Sequence, residues 1–228
     1  MHSIIDTAIS EQRFTLTLKE SLEFIQSYKI PANPSYLLSS SVDLDSVIPK
    51  LTFPVVIKII SPDIIHKTEV GGVVLNIVSP EDLKISYLSL IDRMNKLPFQ
   101  PQIIGISVEN QIGSDFEVIL GTFNDTTFGQ TIMFGVGGIF VEIINDVTFH
   151  LLPISEFDAR EMIYELKSTF LLKGFRGKPP LNLDELVSIM MNLSKIVQEN
   201  PIKEIDLNPI LVFNSHLTVV DARIVLQE

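Results

Sequence analysis

The 228-residue chain contains no cysteine, which excludes both a disulfide framework and a thiolate metal site. Only four histidines are present, so zinc would have to rely on scattered histidines and carboxylates, and it is set aside. Basic residues are scarce as well: 17 Lys and Arg stand against 28 Asp and Glu, a formal net charge of −11. A nucleic-acid surface needs clustered Lys and Arg to neutralise phosphates, so none is expected, and any anion site must be local. No apolar run reaches the roughly 18 residues of a membrane span; the most apolar stretch, 132–144, is interrupted by Glu142. Near the N-terminus, Asp6 and Glu11 stand where a secretory signal needs a basic start and an unbroken apolar core. The expectation is a cytoplasmic protein with neither membrane nor nucleic acid as partner. Hydrophobic residues make up 46%, enough for the core of one large or two small domains.

Periodicity predicts a mixed α+β (or α/β) chain. Leu18, Leu22, Phe24, Ile25 and Tyr28 have near-helical spacing ahead of Pro31, and a strand around 36–38 and a short helix over 43–50 follow. Strands are expected at 54–60 and 73–78. Ser79 and Pro80 then open a helix to about Lys96, serine as cap and proline in the first turn. Pro98-Phe-Gln-Pro101 breaks the chain and is taken as a subdomain boundary, giving one subdomain over 20–100 and a second over 101–228 together with 1–19. Beyond it, strands are expected at 103–109, 117–123, 131–134 and 147–152, and helices at 155–166 and 182–199.

The loop over 61–72 carries the densest chemistry. It is too long for a simple hairpin turn, follows a strand with Lys58 among apolar residues, holds His66, and returns through Gly71 and Gly72. Glycine lets backbone N–H groups approach an anion closely, so the stretch suggests phosphoryl chemistry.

The C-terminal segment reads as two strands around an Asn214-Ser215 turn. A two-residue turn sets Phe213 opposite His216, Asn208 opposite Asp221 and Asp206 opposite Arg223. Period-two alternation then turns these last four to one face and Ile205, Leu207, Ala222 and Ile224 to the other. Asn208, Asp221 and Asp206 are hard oxygen donors of the kind Mg²⁺ prefers; the same register equally allows an Asp206–Arg223 cross-strand ion pair. Pro209 within the strand implies an edge or an interrupted ladder.

An ordered set of motifs runs across nearly the whole chain: Phe53-Pro-Val-Val-Ile-Lys-Ile, Ser61-Pro-Asp-Ile-Ile-His-Lys-Thr-Glu-Val-Gly-Gly-Val73, Ile132-Met-Phe-Gly-Val-Gly-Gly-Ile-Phe-Val-Glu142, Gly174-Phe-Arg-Gly-Lys-Pro-Pro180, Glu204-Ile-Asp-Leu-Asn-Pro209 and Val220-Asp-Ala-Arg-Ile224. With them the chain resembles the β subunit of ADP-forming acetyl-CoA synthetase (NDP-forming acyl-CoA synthetase). The resemblance implies an ATP-grasp fold of two lobes with the nucleotide between them, and a ligase that interconverts acyl-CoA, ADP and phosphate with acid, CoA and ATP. It further implies a CoA-binding α subunit bearing a phosphohistidine, in an α2β2 heterotetramer. His66 matches the family's second carrier histidine. Lys58 would contact the phosphates of ATP or ADP, Asn208 and Asp221 would hold Mg²⁺, and Asp206 would support the metal or the histidine. Glu109, Asn110, Gly71 and Gly72 would help bind the nucleotide. Arg176 would stabilise phosphate charge or cap its loop, and Gly135, Gly137 and Gly138 would form a turn beside the phosphohistidine path.

The chain departs from the family at three places. Val108-Glu-Asn-Gln111 puts Asn110 at an acidic position, and Phe116 and Asn124 replace arginines. Two other readings follow: a catalytically impaired regulatory or structural subunit of the same kind of complex, or a β subunit like that of succinyl-CoA synthetase.

Overall fold

A computed structural model describes residues 2–64, 67–137, 145–174 and 179–227. The chain divides into two compact units, Met1–Asn33 with Ile112–Glu228, and Pro34–Gln111. These divisions differ from the expected breaks at 19/20 and 100/101, and strand pairing is the reason. The Pro98–Pro101 break leads into β4 (Gly105–Asn110), which is laddered to both β1 (Ser35–Leu38) and β2 (Val55–Ile60). The smaller unit therefore runs on to Gln111. Helix α2 (Leu18–Ser27) lends Leu22, Phe24 and Ile25 to the core of the larger unit.

In the smaller unit four antiparallel strands lie in the order β1-β4-β2-β3, with β3 spanning Val73–Ile77. Val55, Ile57 and Ile59 of β2 and Ile106 and Val108 of β4 point to one face. There Leu83, Tyr87, Leu90 and Met94 of α4 (Pro80–Asn95) complete a core. The helix begins as its sequence dictates: the Ser79 hydroxyl accepts from the Asp82 N–H at 3.1 Å and Pro80 occupies the first turn. A short α3 (Leu44–Val47), flanked by 3₁₀ turns, fills the expected 43–50 helix.

The larger unit is built on an antiparallel sheet ordered β10-β8-β5-β6-β7, with β9 also paired to β8. These strands are β5 (Phe116–Asp125), β6 (Gly129–Val136), β7 (Val147–Leu151), β8 (Ile202–Phe213), β9 (His216–Val219) and β10 (Ala222–Leu226). The apolar sides of α1 (Ser3–Ser10), α2, α5 (Glu156–Glu165) and α7 (Leu183–Glu199) join the sheet's inner face in one core; the short α6 (Thr169–Leu172) adds Leu172. Gly135 lies inside β6 opposite Val147 rather than in a turn after a strand. A Cβ there would meet Val147 Cγ1 at 2.8 Å, so the glycine permits close strand packing.

Gly71 and Gly72 return the loop to β3. Gly71 has φ +66, and a Cβ on Gly72 would stand 2.6 Å from Ile59 Cγ2 and 2.8 Å from the Lys67 carbonyl oxygen. Gly72→Ala is expected to cost about 1–3 kcal/mol through such overpacking, read as a lower urea midpoint at unchanged m value. An unmoved midpoint would show that the loop absorbs the methyl group.

Candidate functional site

In the smaller unit, alternation along β2 and β4 leaves Lys58, Ser107 and Glu109 on the face turned away from the α4 core. Lys58 stands opposite Ser107 in the ladder and Val56 opposite Glu109, so lysine and glutamate are diagonal neighbours. Their side chains meet at 2.9 Å, with Lys58 12% and Glu109 1% exposed. The other carboxylate oxygen accepts from the hydroxyls of Ser35 at 3.2 Å and Ser107 at 3.3 Å. A buried charge is tolerated only when paired and hydrogen-bonded, and this one is both. No motif marks Ser35, which lies 74 residues from Glu109 in sequence; the β1–β4 ladder brings them together by placing Ser35 directly opposite Glu109.

Asn110, the next residue, turns to the other face, and its Oδ1 accepts from the Thr52 N–H at 2.8 Å. The acidic group beside Lys58 is therefore Glu109. Asn110, expected to contact nucleotide, holds the segment entering β2.

His66 lies outside the described residues, as do Arg176 and Gly138. The return of the His66 loop is described. The Gly71 N–H donates to the Thr68 carbonyl at 3.0 Å and the Gly72 N–H to the Lys67 carbonyl at 2.7 Å. These amides are engaged within the loop rather than presented to an anion, so both glycines serve to close the turn. Sequence reading passed over two anchors of this loop. Arg93 Nη1 of α4 donates to the Gly71 carbonyl at 2.7 Å, and the Asp63 carboxylate accepts from the Gln102 N–H at 2.6 Å.

In the larger unit the C-terminal register matches the expected one: Phe213 stands opposite His216 and Asp206 opposite Arg223. The Asn208 N–H donates to the Asp221 carbonyl at 3.3 Å. Ile205, Leu207, Ala222 and Ile224 are buried, while Asp206 and Asp221 are half-buried and Asn208 and Arg223 exposed. The ladder is interrupted at Pro209, as expected: Asn208 and Pro209 together face Ile119 of β5, forming a bulge. The Asp206–Arg223 ion pair does not form; Arg223 reaches diagonally to Glu204 at 2.9 Å.

Burial pushes the Asp206 carboxyl above the ordinary range, and the nearby Asp221 and Glu204 push it further, with Arg223 opposing them. Among the described residues no group of three or more histidine, aspartate or glutamate side chains could hold a metal ion. Two carboxylates and the Asn208 amide still suit Mg²⁺, which commonly takes one or two protein carboxylates and completes its octahedron with water and phosphate oxygens. The two expected arginine replacements have plain surroundings: Phe116 packs against the larger core and Asn124 is exposed near the end of β5.

Lys58→Met should destabilise the chain by about 3–5 kcal/mol, because Glu109 is left buried and unpaired. Adding Glu109→Leu should recover most of that loss in urea unfolding; equal loss in both variants would mean the pair is not the cause. The fold raises the proton affinity of Asp206, so the folded chain binds this proton at higher pH than the unfolded chain. The resulting penalty is present at neutral pH and relieved as pH falls through the carboxylate range. Asp206→Asn should raise Tm at pH 7 by on the order of 2 °C, with the gain shrinking in acid. A lowered Tm at pH 7 would contradict the assignment.

A family profile for the ATP-grasp domain matches residues 7–226. The β subunit of ADP-forming acetate–CoA ligase II from Pyrococcus furiosus is 36% identical over 98% of this chain and 97% of its own length. The ADP-forming acetate–CoA ligase I of Archaeoglobus fulgidus is 35% identical over 92% of this chain, but the match spans only 30% of that longer polypeptide. A dinucleotide-forming acetyl-coenzyme A synthetase 1 from Ca. Korarchaeum cryptofilum, solved with coenzyme A, Ca-AMPCP and HgCl⁺, superposes with a TM-score of 0.92 at 38% identity, covering 98% of both chains. Another structure of that synthetase, with coenzyme A, Mg-AMPPCP and a phosphohistidine segment pointing towards the nucleotide-binding site, matches at TM-score 0.82 and 36% identity over 98% of each chain. With a two-unit α+β fold and motifs retained from end to end, the chain belongs to the ATP-grasp family, in the branch of the β subunits of ADP-forming acetate–CoA ligases.

Proposed function

We propose that the chain takes the phosphoryl group from a phosphohistidine on a separate CoA-binding α subunit and passes it through His66 to ADP, completing the conversion of acyl-CoA, ADP and phosphate to acid, CoA and ATP. In the first step the P–N bond of the α-subunit phosphohistidine breaks as a neutral nitrogen of His66 bonds to phosphorus. In the second, a β-phosphate oxygen of ADP displaces His66. The carrier divides one long transfer into two shorter ones. The observation that carries this reading is the superposition over 98% of both chains on a synthetase solved with coenzyme A and a nucleotide analogue.

Lys58, held in one place by Glu109, supplies positive charge to the nucleotide phosphates. Ser35 and Ser107 keep that carboxylate fixed, so the ammonium is positioned before substrate arrives. Asn208 and Asp221 would hold Mg²⁺, which would supply charge neutralisation for the transferring phosphoryl group. Asp206 stands beside Asp221 on the same face, where burial first and the neighbouring carboxylates second raise its proton affinity, and it supports the metal or the histidine. The enzyme is assigned to the cytoplasm and to an α2β2 assembly. No helix among the described residues is long and apolar enough to cross a membrane. A second reading, a structural subunit without activity, draws support from Asn110, whose side chain is engaged with Thr52 at the position where the family carries an acid.

With the α subunit, Mg²⁺ and γ-labelled ATP, the chain should acquire acid-labile label that ADP discharges, and His66→Ala should reduce that label to background. Nucleotide binding without label on the β chain would remove the carrier role. Absence of both would favour the structural subunit.

A further inference from the structure

The sheet of the larger unit ends at β7, an edge strand that pairs only with β6 among the described residues. Edge strands are ordinarily protected by lysine, proline, a bulge or a covering element. This one, Val-Thr-Phe-His-Leu, has no Asp, Glu, Lys, Arg or Pro, on a chain whose net charge is −11. Its outward residues Phe149 and Leu151 are 52% and 48% exposed. Phe149 stands opposite Met133 and Leu151 opposite Thr131. Phe123 of β5 joins them, its ring meeting Phe149 edge-on at a centroid distance of 6.2 Å. An apolar group of this kind on a sheet edge marks an interaction surface rather than scattered exposure.

The register shows where this surface leads. Phe149 is opposite Met133, Met133 opposite Gly121, and Gly121 opposite Asp206. Directly opposed residues of neighbouring strands share a face, so the apolar edge and the acidic group lie on one side of the sheet. Three strand spacings separate them, about 14 Å.

We propose that this outer face of β6 and β7, centred on Phe149 and Leu151, is where the CoA-binding subunit docks. The occupant follows from the comparison of lengths. In the Archaeoglobus ligase the matched region is 30% of one polypeptide, so a larger remainder is attached to it covalently. In the Pyrococcus enzyme the match covers 97% of a separate β subunit. Where the two parts are separate chains, as the subunit name of the Pyrococcus enzyme states, they meet through a surface, and lasting interfaces are more apolar than transient ones. A partner seated on this edge also stands at one end of the face whose other end carries Asp206, Asn208 and Asp221. The inference rests on the proposed function for the identity of the partner but not for the location of the surface.

The test is co-expression with the CoA-binding subunit from the same genome, with the dissociation constant measured by titration. Phe149→Asp with Leu151→Asp should weaken the complex on the order of 100-fold, as expected for a central aromatic anchor. Phe149→Ser should weaken it less and leave Tm unchanged, excluding misfolding. Mg-ATP binding by the isolated variants should match wild type, and Ile85→Asp, on the exposed side of α4, should leave the complex intact. Wild-type affinity in the double variant, or equal loss from Ile85→Asp, would overturn the proposal. So would a homodimer of this chain dispersed by Phe149→Asp, which would make a second copy the occupant. If wild type binds no Mg-ATP yet the edge variants still release the partner, the docking surface stands and the phosphoryl-transfer reading fails.

Discussion

The larger unit depends on the pairing of β8. This 12-residue strand takes β5 on one side and β9 followed by β10 on the other, so its register decides which side chains face the core and which face outward. Beyond the irregularity at Lys203 near its start, its phase changes once more, at Asn208 and Pro209, where two successive residues turn away from the core. Across the ladder Val219 and Val220 are both buried in succession. The two phase changes fall at the same level and compensate, so pairing on either side of the break follows a single count from the Asn214-Ser215 turn. A one-residue slip in either strand would send Asp206 and Asp221 into the core and Ile205 and Ile224 outward.

The smaller unit solves a different problem, that of keeping a charge ready where water is scarce. Lys58 and Glu109 satisfy each other across a sheet face, and two serine hydroxyls take up the second carboxylate oxygen. Pairing of this kind rarely adds net stability relative to apolar side chains of similar volume, because both groups must be desolvated. What it supplies is a cation held at a defined place on the sheet. Glycine serves the same unit at the loop return, where Gly71 and Gly72 allow the backbone to fold against β2 and their amides are used internally.

Much of this architecture was legible along the chain. The cap at Ser79 and Pro80, the helical spacing over 18–28, and the hairpin count from Asn214-Ser215 are local or short-range signals. Each follows from periodicity, turn chemistry or capping within a few residues. The sheet order was not legible, and the subdomain limits were misplaced for that reason: Pro98–Pro101 resembles a boundary until β4 is seen paired with β1 and β2. The partners of Lys58 were hidden in the same way. Ser35, Lys58 and Glu109 are far apart in sequence, and Glu109 and Asn110 are adjacent residues that alternation sends to opposite faces.

By itself the sequence determined the family, the element types, the donor chemistry available and the register of the C-terminal strands, since all of these depend on residue identity and near-neighbour spacing. Tertiary structure decided that Arg223 pairs with Glu204 instead of Asp206, that the Gly71 and Gly72 amides are already engaged, and that an uncharged edge strand shares its sheet face with the acidic group. These depend on which strands lie side by side. Sheet order is fixed by long-range burial of apolar surface, which no local spacing encodes.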